Sequence, residues 1–164
     1  MYDVELIDVK DEWVELVKRV KAMSKDKGNS VEIGVFEDPG LVKIATENEF
    51  GDPPRPKRKW RIPERSFLRH VFDRDKKKLA ALMQKGAGDI ITGKAKTEKV
   101  LEYMGSLFEK NVKDFIISGY YKSSKPNHPI TIKIKGNEQP LIQIGKLYST
   151  LTHRITGKAI KIKK

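Results

Sequence analysis

A chain of 164 residues is enough for one ordinary domain with one real core. Thirty-four Lys and Arg against 22 Asp and Glu leave a formal charge of +12, a field that favours nucleic acid, anionic lipid or an acidic protein face. The absence of cysteine excludes disulfides, thiolate metal sites and cysteine nucleophiles. No apolar run reaches the roughly 20 residues that cross a bilayer, and the acidic opening lacks the basic start of a signal peptide, so a cytoplasmic setting is expected.

In chain order, Val4, Leu6 and Val9 alternate with polar residues as a short opening strand, after which Asp8 can cap a helix. Trp13, Leu16, Val17, Val20 and Met23 recur at helical spacing and form the apolar face of that helix. Lys27-Gly28-Asn29 ends it, and the β-branched run Val31-Glu32-Ile33-Gly34-Val35-Phe36 reads as a strand. Pro39 suits the first turn of a second, shorter helix carrying Leu41, Ile44 and Ala45, which ends near Phe50-Gly51.

Four prolines between Pro53 and Pro63 then forbid regular structure and hold an extended loop over 52–63. That loop contains Arg55-Pro56-Lys57-Arg58-Lys59-Trp60-Arg61, five basic residues with no acid. A third helix begins at Glu64, with Phe67, Leu68, Val71, Phe72, Leu79, Leu82 and Met83 at helical spacing and Gly86 and Gly88 punctuating its end. A fourth runs from Thr97 to Ile117 on Val100, Leu101, Met104, Leu107, Phe108, Val112, Phe115 and Ile116, and Gly119 stops it. Tyr120 to Pro129 reads as a loop, and Ile130-Thr131-Ile132-Lys133-Ile134-Lys135 alternates as a half-buried strand ending in a turn at Gly136-Asn137. A last strand lies between Leu151 and Ile162, and residues 158–164 form a basic tail carrying four lysines. The expected fold is α+β: one domain over residues 1–157, with a small, mainly antiparallel sheet packed with about four helices.

Catalytic signatures are missing. His70, His128 and His153 are scattered without metal-ligand spacing. Gly88 and Gly93-Lys94 imitate a phosphate loop, but Ala95 stands where a magnesium-holding hydroxyl is needed and a helix precedes the segment. There is no nucleophile elbow and no dinucleotide-binding turn. Glu47 and Glu49 diverge at i, i+2 on a helix and read as solvent-facing or capping carboxylates. The expectation is a protein that is not an enzyme, with no cofactor and no metal. Its best chemical feature is the loop carrying Arg55, Lys57, Arg58, Lys59, Trp60 and Arg61, which can neutralise phosphates or dock on a partner.

Two stretches go beyond composition. Ile44-Ala45-Thr46-Glu47-Asn48-Glu49-Phe50-Gly51, a proline-rich loop, and Ile62-Pro63-Glu64-Arg65-Ser66-Phe67-Leu68-Arg69 come first. Thr131-Ile132-Lys133-Ile134-Lys135-Gly136, Pro140-Leu141-Ile142-Gln143-Ile144-Gly145-Lys146-Leu147 and a Ser149 to Ile155 ending follow. In this order they resemble the motifs of tailed-bacteriophage neck, tail-completion and virion-morphogenesis proteins, and together with the opening helix and Val31-Glu32-Ile33-Gly34-Val35-Phe36 the resemblance spans most of residues 4–156. Gln143-Ile144-Gly145 departs from that family's usual Asp-Thr-Gly, so its turn must be capped differently here. The resemblance also admits a short helix or loop around Thr131 in place of a strand.

The resemblance implies a homo-oligomeric ring, hexameric in expectation, in the neck of the virion and in the host cytoplasm during assembly. Its partners would be the head connector or stopper and the tail tube or terminator, with non-specific contact to DNA in the channel and no membrane. It singles out Glu49, Phe50, Gly51, Pro63, Arg65, Phe67, Leu68, Pro140, Leu141, Gly145 and Leu147 as structural positions. Gly51 permits a positive φ, Phe50 supplies an apolar anchor, and Arg65 is placed to salt-bridge Glu49. Phe50, Phe67, Leu68 and Leu147 read first as core residues. Two alternatives remain: a tail terminator, or a non-specific DNA- or RNA-binding accessory protein.

Overall fold

Two long amphipathic helices make the frame, and everything else is laid across them. The computed structural model describes residues 13–19, 21, 29–52, 61–142 and 146–157. Strand β1 (Ser30–Gly34) is followed by α1 (Pro39–Phe50), α2 (Phe67–Ile91) and α3 (Thr97–Ile117). Short helices α4 (Tyr121–Ser124), α5 (Pro129–Lys135) and α6 (Lys146–Thr150) lead to β2 (Thr152–Thr156). The chain is an α+β domain, mostly helical, and the described strands form one antiparallel pair, Ser30 opposite Thr156 through to Gly34 opposite Thr152.

Local chemistry explains most boundaries. Asp38 caps α1, its carboxylate accepting from Gly40 N at 2.8 Å and Leu41 N at 3.1 Å, with Pro39 already set for the first turn. Gly119, at φ 69°, ends the turn after α3, where the Gln139 amide donates to Ile117 O at 2.7 Å. The ribbon crosses α3 at Gly105. A Cβ there would lie 2.8 Å from Val31 Cγ2 and collide with the His153 ring, so only glycine lets the sheet come this close.

The core gathers Phe67 and Val71 of α2, Phe108, Val112, Phe115 and Ile116 of α3, and Tyr121, Leu141, Leu147 and Leu151 from the C-terminal third. Ile33, Val35, Ala45, Leu68, Leu79 and Ile142 pack against it. Removing such side chains from water is the main stabilising term, about 1.5–3 kcal/mol for each large aliphatic or aromatic group.

Several expectations change. Residues 130–135 are the helix α5, not a strand. Pro129 fits its first turn, His128 Nδ1 accepts from Ile130 N at 3.3 Å, and Gly136 closes it in the left-handed conformation at φ 70°. Among the described residues no strand lies beside the segment to reward alternation, and Ile134 is 79% exposed. Gly86 and Gly88 do not end α2, which runs on to Ile91; Gly86 is buried where α3 brings Val100 against it. The expected 120–129 loop contains α4, whose Tyr121 is buried. Residues 13–19 and 21 are helical as expected, yet Trp13 is 64% exposed and so is not a core residue. The opening strand and its Asp8 cap, the 158–164 tail and Gly145 lie outside the described residues.

Candidate functional site

The chain leaves α1 at Gly51 and returns at Ile62, and the two ends of this excursion are bolted together. Asp52 N donates to Ile62 O at 3.1 Å, and Arg65 N donates to Asn48 O at 2.6 Å. Gly51 has the expected positive φ, 78°, and a Cβ there would sit 3.3 Å from Glu64 N. Of the basic loop, Arg61 is described and exposed; Arg55, Lys57, Arg58, Lys59 and Trp60 lie outside the described residues.

Glu49 fastens α1 to the start of α2. Its side chain is buried, with Oε2 accepting from Leu68 N at 2.9 Å and Oε1 from Arg69 N at 3.0 Å. A carboxylate from a neighbouring helix therefore caps α2, whose own Ser66 makes no side-chain capping bond. The cap reading of Glu49 holds. Its ionic partner, however, is Arg69 at 3.1 Å, not Arg65. Arg69 also donates to Glu49 O at 2.6 Å and to Glu64 Oε1 at 2.9 Å, and its guanidinium lies 4.6 Å from the centre of the Phe50 ring. Phe50 is 63% exposed, so it anchors nothing in the core; it shelters the Arg69 guanidinium at the surface.

Arg65 is 4% exposed and acts as a second bolt. Nε donates to Lys125 O at 2.8 Å, Nη2 to Pro126 O at 2.8 Å and Nη1 to Asn48 Oδ1 at 3.1 Å. These bonds join the end of α1, the start of α2 and the segment after α4. Burial pulls the Arg65 pKa below the usual guanidinium value against a smaller opposing effect of the Tyr121 phenol.

The second motif closes on the first. Pro140 and Leu141 are buried, Leu147 is buried on α6, and the two leucines join Phe67 in one core cluster while Leu68 packs on its edge. Leu141 adopts φ 66°, a left-handed conformation that costs a non-glycine residue about 1 kcal/mol or more and is held here by burial. Pro63 is half-buried in the returning limb.

Two clefts flank this clamp. One, of about 260 Å³, lies between α1 and α6, lined by Leu41, Ile44, Asn48, Lys135, Leu141 and Leu147 among others. The other, of about 180 Å³, opens beneath the loop root. Sequence reasoning placed Arg69 and Lys135 inside the motifs but gave them no role: Arg69 pairs with Glu49 and Glu64, and Lys135 lines both clefts.

The histidines take separate places. His70 stacks on Phe115 at 4.8 Å and meets Tyr120 at 4.7 Å. His128 caps α5. His153 sits at the α3–β2 seam with Nδ1 2.6 Å from Glu109 and Nε2 3.1 Å from Glu102. Burial lowers the His153 pKa, but the hydrogen bonds to Glu109 and Glu102 outweigh it and leave the imidazole above its ordinary value. With both nitrogens held by carboxylates, this histidine is a crosslink and not a free base.

Comparison of the chain with protein families, curated proteins and solved structures finds no match. No described helix is long and apolar enough to cross a membrane.

Proposed function

We propose that the chain is a non-enzymatic structural protein of a tailed phage, forming a ring in the neck that joins the head connector to the tail. The observation that carries this reading is the convergence of the two motifs, separated by the 61 residues 70–130, on one clamp at the root of the basic loop. A rigid scaffold presenting a charged loop at a fixed exit is the design of a docking surface. Ring assembly draws support from the apolar side chains left at the surface. Phe72 and Met83, more than half exposed, border an apolar groove of about 360 Å³ with Val31, Ile33, Leu79 and Phe108. Within this reading, the loop docks on an acidic face of the adjoining ring.

Neutralising Arg55, Lys57, Arg58 and Lys59 together tests the proposal. The variant folds with an unchanged circular dichroism spectrum, and electron microscopy of the lysate shows unattached heads and tails. Normal infectious particles from that variant contradict it. A tail terminator is the neighbouring position in the same class. The net charge of +12 and Trp60 within the basic run support a second reading, a non-specific nucleic-acid-binding accessory protein. Submicromolar nucleic-acid affinity that persists at physiological salt favours that second reading, whereas weak, steeply salt-dependent binding reflects bulk charge.

A further inference from the structure

The cleft beneath the loop root lies between α1, the returning limb 61–65, and the segment 127–135. Its walls carry three cationic side chains, Arg61, Arg65 and Lys135, with the neutral donors Asn48, Asn127 and Thr131 and the His128 imidazole. Glu47 also lines it, and among the described residues the cations outnumber this acid.

Three features set this cleft apart from an ordinary charged surface. Arg65 is buried, and among the described residues it bonds only to two carbonyl oxygens and an amide oxygen. A guanidinium carries five N–H donors, of which these bonds use three, so two remain on the terminal nitrogens. A charge taken out of water without an ionic partner is costly, and an anion entering the cleft offsets that cost. Second, Lys135 lines the same cleft, and no carboxylate pairs with it among the described residues. Arg65 and Lys135 thus line one space, and burial, then repulsion from Arg65, pull the Lys135 ammonium below the ordinary lysine value. Third, the volume of about 180 Å³ suits a single small anionic group and not an extended organic ligand.

We propose that this cleft is a phosphate-binding site, with Arg65 and Lys135 as its charged walls and Asn48, Asn127 and Thr131 supplying neutral contacts. Phosphate is favoured over carboxylate because its oxygens point in several directions. Arg65, Lys135 and the amide and hydroxyl groups approach from three separate segments, whereas a carboxylate presents a planar pair of acceptors to one fork. The phosphate is either free or part of a nucleic-acid backbone; the recognising chemistry is the same. The site does not depend on the neck reading.

The test is calorimetric titration of the full chain at low ionic strength with inorganic phosphate, acetate and a short single-stranded oligonucleotide in separate arms. Saturable phosphate binding is expected, with acetate at least about tenfold weaker. Lys135→Gln weakens phosphate by about tenfold, while Lys133→Gln, exposed on the same helix, leaves it unchanged. Arg65→Lys is a second probe, used only if its melting curve shows a folded protein. If Lys135→Gln weakens the oligonucleotide equally, the source is a backbone phosphate. If it weakens phosphate alone, the source is a free phosphate. Absence of saturable phosphate binding, equal affinity for acetate, or equal losses in Lys133→Gln and Lys135→Gln would each overturn the proposal.

Discussion

The two ends of this molecule are held by different means. At the α3–ribbon end, the His153 crosslink apart, helices and strands approach through glycine and apolar side chains: Gly86 against Val100, Gly105 against Val31, Phe72 edge-on to Phe108 with ring centres 6.3 Å apart. At the loop root the fastening is polar and buried, with Glu49 capping a helix it does not belong to and Arg65 spanning three segments. Apolar packing is non-directional and supplies most of the stability, whereas buried hydrogen bonds add little net energy but dictate one geometry. The polar end is thus where position matters, and it is the end from which the basic loop departs.

If that division is right, substitutions at the two ends separate stability from loop control. The largest stability loss is expected from Phe108→Ala, about 3–5 kcal/mol by chemical denaturation, because a nearly buried ring is replaced by a cavity. Gly105→Ala follows at about 2–3 kcal/mol, since the new methyl forces the ribbon off α3. For both, tryptic cleavage within 55–61 rises only in step with global unfolding.

Glu49→Ala is expected to cost about 2 kcal/mol through two uncapped backbone N–H groups, yet to accelerate tryptic cleavage of the same loop well beyond what that loss explains. Loop cleavage that tracks global stability in all three variants would erase the distinction.

The smallest effect concerns pH at the His153 seam. The folded imidazole pKa is raised above its ordinary 6.5, so its contribution is fully present below that value and fades as pH rises through the folded pKa. For Glu109, burial raises the pKa, but bonds from Lys113 and His153 prevail and leave it below 4.5. Its contribution is present above 4.5 and fades as pH falls through the folded value. Both are therefore present between 4.5 and 6.5. The melting temperature of His153→Gln is expected to fall less than that of the parent chain when pH is raised from slightly acid to slightly alkaline. Equal falls in both would remove the seam as a pH-sensitive contact.

The apolar end was largely legible in the sequence. The helical spacing of Val100 to Ile116 marks α3, and the β-branched run at Val31 marks β1, because these patterns report burial that the structure delivers. The same logic misled at residues 130–135, where alternation counts only beside a partner strand; Pro129 and Gly136, a helix's own start and stop, were the better signals. At the clamp, the residue types were legible and their pairings were not. Glu49 could be read as a cap, but its choice of Arg69 over Arg65 depends on how α1 meets α2. Nor does any local pattern distinguish Phe50, turned outward over Arg69, from Phe67, fully buried.

Complementation in vitro tests most directly the proposal that this chain joins heads to tails. Lysate from phage lacking the chain should contain filled heads and separate tails, and adding the purified protein should convert them into joined, infectious particles. Intact infectious particles formed without the chain would contradict the account.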